Sequence, residues 1–374
     1  PPVGPMPVGQ RIETVPPASF DLDGQPADAS NAASPNETLP YLFPVYGFSF
    51  DDAENFSVRT AGGAVYHFPS HAFEITIEDV GIEVDGGEGA IIADITVVIP
   101  ENTSGYAPGT YEAEDVALGE VASVDVDVDG DVVTVVGTGA TITASGSENL
   151  QDYLNEGDEL DDFVLQFRTA ASVEVARTSF PLEGSAEVEV QGRGFYFGSA
   201  IGAGMPLTGL PSGAYTVVGF FEEVWQPSQG VTSAKRAAVS AANNGQKWAV
   251  PAASIPNPVS PAGGGIELRP DGSFSTSVTV SKQLIDEAKE SKGLTAGRYG
   301  IYTYPGSGAV QPAFETFTPL SFVAAPSIVK APVSASVTAG STARFTASVS
   351  GADSLQWQSR SGSGEWKSIP GAWS

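Results

Sequence analysis

Phe73, Ile75 and Ile77 alternate with Glu74, Thr76 and Glu78. A period of two puts apolar side chains on one face of a strand and polar ones on the other. Gly86-Gly87 predicts a turn, and the apolar run 90–99 predicts a second strand. Val124, Val126 and Val128 alternate with Asp125, Asp127 and Asp129, and the apolar run 132–136 follows Gly130. Asp129-Gly130 between two such runs is a strong hairpin signal. Residues 138–144 continue the sheet, and 147–154 predict a short helix with Ser147 as its N-cap. Beyond 172, Val173, Val175, Val188 and Val190 read as strand residues, as do 215–221, 274–280 and 299–304. Residues 281–292 predict the clearest helix. Ser281 is its N-cap, Leu284, Ile285 and Ala288 share one face, and Gly293 stops it. The Pro-, Ser-, Ala- and Asn-rich stretch 226–264 is too long for a plain loop in a compact domain.

These patterns predict an all-β chain with a few short helices, built as several β-sandwich-like modules. Residues 1–40, broken by Pro16-Pro17, Gln25-Pro26 and Ser34-Pro35, form an extended lead-in rich in Pro, Ala and Ser. Residues 41–171 form a first β domain, and 172–325 a second β-rich module. Residues 326–374, with Gln356-Trp357-Gln358 and Trp366, resemble the first half of a bacterial immunoglobulin-like domain. In that fold a Trp on the third strand fills the core.

With 374 residues, two or three domains are expected. The 43 Gly and 28 Pro residues suit short strands and turns. The net charge of −28, from 45 acidic and 17 basic residues, opposes nucleic-acid binding and docking on anionic lipid. The chain has no Cys, as suits a Gram-positive envelope protein that folds without disulfides, although an ordinary cytosolic protein fits that count too. It begins at Pro1, which reads as a processed form or a fragment, with no signal peptide and no run of about 20 apolar residues. Any membrane anchor is then expected outside this segment or on a partner.

Both histidines, His67 and His71, fall in one stretch, just before the strand that starts at Phe73. With no Cys and two Met, they are nearly all the nitrogen and sulfur ligands the chain offers. The stretch 65–77, continuing through Glu83-Val84-Asp85-Gly86, resembles the core of the HtaA domain, a haem-binding module of actinobacterial cell envelopes. Residues 133–144, Tyr153-Leu154-Asn155-Glu156-Gly157 and Leu160-Asp161-Asp162-Phe163 are similar to that family's C-terminal pattern. Residues 221–228, 246–251, 299–305 and 316–319 are similar to a module that follows HtaA domains.

The resemblance implies a β-sheet module gripping haem between a sheet and a short helix. A Tyr phenolate binds the iron and a His hydrogen-bonds that Tyr. His71 matches the family His by its place before Phe73. Ser70 and Ala72 flank it where the family has Gly before and Asp-Gly after. His67 has no assigned counterpart. The family's ligand segment, Trp-x-hydrophobic-x-x-Ser-Phe-x-x-Tyr, is missing here. Tyr46, in the stretch 44–50, is the best substitute, and Tyr41 and Tyr66 are the other tyrosines upstream of His71. The bland alternative is that Tyr41 and Tyr46 are core or edge aromatics and the histidines are polar strand-start residues.

Other chemistry finds little support. Asp125 to Gly130 opens like a calcium loop, but its twelfth position is Val136 rather than Glu. Gly192-Arg193-Gly194 and 263–265 lack the Lys-Ser/Thr of a phosphate loop. Gly198-Ser199-Ala200 is no nucleophile elbow. Trp225, Trp248, Tyr302 and Tyr304 are read as core of the second module before an aromatic sugar or peptide platform.

The leading expectation is a non-enzymatic, envelope-exposed haem-binding or haem-relay protein. Its cofactor would be haem, and its partners a haem-carrying protein, other envelope proteins or its own copies. A structural or adhesive surface protein with an HtaA-like domain that binds no haem is the alternative. A carbohydrate-binding module comes third.

Overall fold

The computed structural model describes residues 12–21, 40–68, 73–101, 103, 105–324, 326–352 and 354–373. Most of the expected lead-in, 1–11 and 22–39, lies outside the described residues. The chain is all-β, with two short α-helices among the described residues. Its first strands are β1 (Ile12–Val15), β2 (Ser19–Phe20), β3 (Tyr41–Leu42), β4 (Val45–Asp52), β5 (Asn55–Thr60) and β6 (Gly63–Phe68). Long strands follow: β7 (Phe73–Asp85), β8 (Glu88–Ile99), β9 (Gly109–Asp129) and β10 (Val132–Ile142). Helix α1 (Ala144–Asn149) and strand β11 (Phe163–Arg168) complete this half.

These strands, β2 and β3 apart, make one sheet of nine, in the order β1-β6-β7-β8-β9-β10-β11. β5 joins the edge of β7 beyond β6, and β4 pairs with β5. The alternation read from the sequence selects the faces. Val133 and Val135 are fully buried opposite Val128 and Val126, while Asp125, Asp127 and Asp129 are exposed on the other side. Asp129-Gly130 turns the hairpin as expected, with Gly130 at φ 62. Those aspartates therefore sit on a strand rather than in a calcium loop.

The sheet curls. Phe167 on β11 meets Phe48 at 5.2 Å, Phe50 at 5.9 Å and Phe56 at 6.2 Å, ring centre to ring centre. Strands at opposite margins thus touch through rings rather than backbone. On the outer face, Arg59 crosses β7 at Gly81, where a Cβ would lie 2.6 Å from Arg59 Cδ. Its guanidinium donates to Glu83 at 3.2 Å and to Asp115 at 2.7 Å, tying β5 to β9.

Helix α1 starts earlier than expected. Thr143, not Ser147, is its N-cap, accepting from the Gly146 N–H at 2.8 Å. Ser147 is instead buried inside it and donates to the Leu154 carbonyl at 2.7 Å.

The next stretch holds β12 (Ser172–Val175), β13 (Ser179–Pro181), β14 (Ala186–Arg193), β15 (Ala214–Phe221), β16 (Arg236–Ala238), β17 (Gln246–Pro251), β18 (Gly265–Leu268) and β19 (Phe274–Val280). Then come α2 (Lys282–Lys292), β20 (Arg298–Pro305), β21 (Phe317–Pro319) and β22 (Ser321–Val323). Sheet β12-β14-β19 packs on the six-stranded sheet built around β15 and β20, through Val188, Val190 and Val278 against Val218, Phe220 and Ile301. Helix α2 has the expected caps, Ser281 and Gly293. The stretch 226–264 is no plain loop: it carries β16, β17 and several single turns of 3-10 helix. Trp225 (1% exposed), Trp248 (8%) and Tyr302 (0%) are core residues.

The last stretch forms two separate hairpins, β23 (Ser327–Lys330) with β24 (Ser348–Ser350) and β25 (Gln356–Ser359) with β26 (Lys367–Trp373). None of residues 326–352 and 354–372 is buried, and Trp357 is only half-buried.

Ile95, 2% exposed at the centre of the first core, tests this packing. Ile95→Ala should cost about 2–5 kcal/mol. Urea unfolding should show this as a lower midpoint with an unchanged slope. Val164→Ala, at a side chain 74% exposed on β11, should leave the midpoint within experimental error.

Candidate functional site

Antiparallel registry sets which side chains share a face of the first sheet. One row runs Ile12, Tyr66, Ile75, Val97, Tyr111 across β1, β6, β7, β8 and β9. Ile75 and Val97 are 3% and 0% exposed, so this row lies on the dry face. The row one residue along, His67, Glu74, Val98, Thr110, faces the other way. His67 Nδ1 lies 2.9 Å from Glu74 Oε2 there. His71 lies outside the described residues.

Tyr41 reaches the dry face from β3. Its ring centre is 6.4 Å from that of Tyr66, 5.4 Å from Phe20 and 5.9 Å from Phe43. The Tyr41 and Tyr66 phenols lie close enough to shift each other's ionisation. Burial pushes the Tyr41 phenol far above its ordinary value, and the neighbouring Tyr66 and the Asp161 charge push it further. Burial also raises Tyr66, while the neighbouring Tyr41 works the other way. Of the two, Tyr66 is the phenol whose ionisation its neighbour eases, and Tyr41 the one whose ionisation it hinders.

The segment after α1 covers the same face. Tyr153, Leu154 and Leu160 pack on the first core, as do Tyr106 and Tyr111. Burial and the neighbouring Tyr106 raise the Tyr153 phenol. Tyr111 donates to the Ala107 carbonyl at 3.1 Å. In the β8–β9 connection at this end of the strands, Thr103 Oγ1 is buried without a hydrogen-bond partner.

Tyr46 lies elsewhere. It sits at a register shift in β4, against Gly198 of the 3-10 turn Phe197–Ser199. Burial, then the charge of Asp79, raise its phenol. The structure thus brings Tyr41 together with Tyr66, sets His67 on the opposite face and carries Tyr46 to a seam with the second half. Tyr66 was visible in the sequence as a residue of opposite parity to His67. Nothing there pointed to Tyr106 or Tyr111, and Tyr153 figured only as part of the family's C-terminal pattern.

Two phenols in an aromatic surround suit a hard, trivalent iron centre. No group of three or more His, Cys, Asp or Glu that could hold a bare metal ion occurs among the described residues. No helix among them is long and apolar enough to cross a membrane.

Residues 22–166 match the HtaA family model. Three solved structures from Corynebacterium glutamicum are similar. The N-terminal domain of HtaA is 16% identical, covering 42% of this chain and 84% of that one, with a TM-score of 0.32. The haem-binding protein HtaB is 18% identical, covering 41% and 79%, with a TM-score of 0.29. The C-terminal domain of HtaA is 18% identical, covering 33% and 81%, with a TM-score of 0.26. No match to a curated protein was found.

The raised phenols bear on stability in alkali. A group that ionises later in the folded chain than in the unfolded one stabilises fully below the ordinary tyrosine value of 10.0 and progressively loses that contribution above it. Urea midpoints should therefore fall from about pH 10 upward. In Tyr66→Phe the Tyr41 phenol should ionise at lower pH, read by tyrosinate absorbance; an unmoved titration would show the pair is not formed.

Proposed function

We propose that the first half of this chain is a haem-binding module and that the protein is a cell-envelope haem receptor or relay. The observation that carries this reading is the Tyr41–Tyr66 pair, ring centres 6.4 Å apart on the dry sheet face, inside the stretch 22–166 that matches HtaA. Haem, once bound, supplies a ferric centre that takes an anionic oxygen ligand. Tyr66 would offer that oxygen from a rigid strand. Tyr41 would donate to it, the part that the resemblance gives to a His. Phe20, Phe43 and Ile75 around the pair keep water from competing for the oxygen. His71, the histidine that matches the family by position, is assigned beside the site by sequence alone. His67 and Tyr46 are left outside it. The chain would hold haem and pass it on, without transforming it.

A haemin titration followed by absorbance tests this. A saturating Soret shift at one haem per chain is expected. It should be lost in Tyr66→Phe and weakened about 10- to 100-fold in Tyr41→Phe, which removes the donor to the ligand. Tyr46→Phe should bind as the parent does. A flat titration of the parent chain would overturn the proposal and leave a structural or adhesive surface protein.

A further inference from the structure

Adjacent residues Phe195 and Tyr196 point into two different cores. Phe195 is fully buried in the second half, with ring centres 5.2 Å from Phe274 and 5.0 Å from Phe314. Tyr196, 6% exposed, belongs to the core of the first sheet, where it meets Phe48 edge-on at 6.0 Å. Its hydroxyl accepts from the Arg168 backbone N–H at 2.9 Å, capping the free edge of β11. The Arg168 guanidinium is held by Asp131 at 2.7 Å.

The turn that follows is fitted as closely. Gly198 lies under the Tyr46 ring, with no room for a Cβ, and a Cβ on Gly47 would meet the Gly198 carbonyl carbon at 3.3 Å. The Ser199 carbonyl accepts from Gln311 Nε2 at 2.6 Å, and the Ala171 N–H donates to the Ala313 carbonyl at 2.9 Å. Phe48 and Phe167, which close the curl of the first sheet, are 5.2 Å apart, and Tyr196 lies against Phe48.

We infer that Phe195-Tyr196 is a built-in clamp: the second half sets the curvature of the first sheet and makes the two halves one cooperative folding unit. The first sheet is then not a self-sufficient module, because a ring from beyond its last strand completes its core. Cooperativity follows when the free energy of one body depends on contacts supplied by the other. The clamp does not depend on what the first half binds.

The full chain without haem provides the test. All five Trp residues, at 225, 248, 357, 366 and 373, lie in the C-terminal half. Of these, Trp225 and Trp248 are buried and carry the change in emission on unfolding. Fluorescence thus reports the second half, and amide exchange along β7–β9 reports the first. In urea, both should give one midpoint in the parent chain. In Tyr196→Ala the fluorescence midpoint should hold while β7–β9 amides lose protection at lower urea and exchange at least ~10-fold faster. Coincident transitions in Tyr196→Ala, or separate ones in the parent, would overturn the clamp. Should Tyr196→Ala not fold, Tyr196→Phe keeps the ring and loses the acceptor. It should keep one transition and speed exchange at the Arg168 amide; unchanged exchange there would remove the bond from the inference.

Discussion

Aromatic packing between Phe167 and the rings of Phe48, Phe50 and Phe56 holds the first half of this molecule in shape. A sheet of nine strands has two open margins, and twist alone does not bring them together. Here the margins meet through side chains, with no ladder of backbone hydrogen bonds between β4 and β11. Ring packing of this kind is worth about 0.5–1.5 kcal/mol per pair beyond the area it buries. That is enough to set curvature, and it leaves the far end of the sheet free to carry a site.

Two phenols occupy that far end, where a purely structural core would carry aliphatic residues. Burying a phenol disfavours its charged form, and these two lie close enough to shift each other's ionisation. Burial holds the pair neutral. It can give up one proton to an electropositive centre and keep the second as a hydrogen bond to the anion that remains. Asp161 works against ionisation of both. A ligand that took this proton would have to bring enough positive charge to outweigh burial and that carboxylate together. This favours a trivalent centre over a divalent one.

Much of the fold was legible because one face of each long strand is dry. The Val/Asp alternation at 124–129, the Asp129-Gly130 turn and the Ser281/Gly293 caps are local signals, and each stands where it was read. Helix α1 was displaced because Thr143 and Ser147 are both competent caps, and tertiary contacts of Ser147 decide between them. The stretch 226–264 was obscure because its order comes from strand pairing with β15 and from single turns, neither of which has a period. The site was half legible. Tyr41 was among the candidates and joins Tyr66, but packing of the separate β2–β3 pair on the dry face, not sequence distance, makes them neighbours. Tyr46 answers to a glycine more than a hundred residues away, and no local pattern announces such a contact.

The exposed Asp125, Asp127 and Asp129 gain a wider meaning from their strand. They stand in a line on the outer face of β9, beside paired partner strands, with Val124 and Val126 half-buried on the other face. At physiological salt the repulsion from such a line fades over about 8 Å. Neighbouring molecules therefore feel one another only near contact. β9 is an interior strand, paired with β8 and β10, so this line of charge guards a face of the sheet and not an edge.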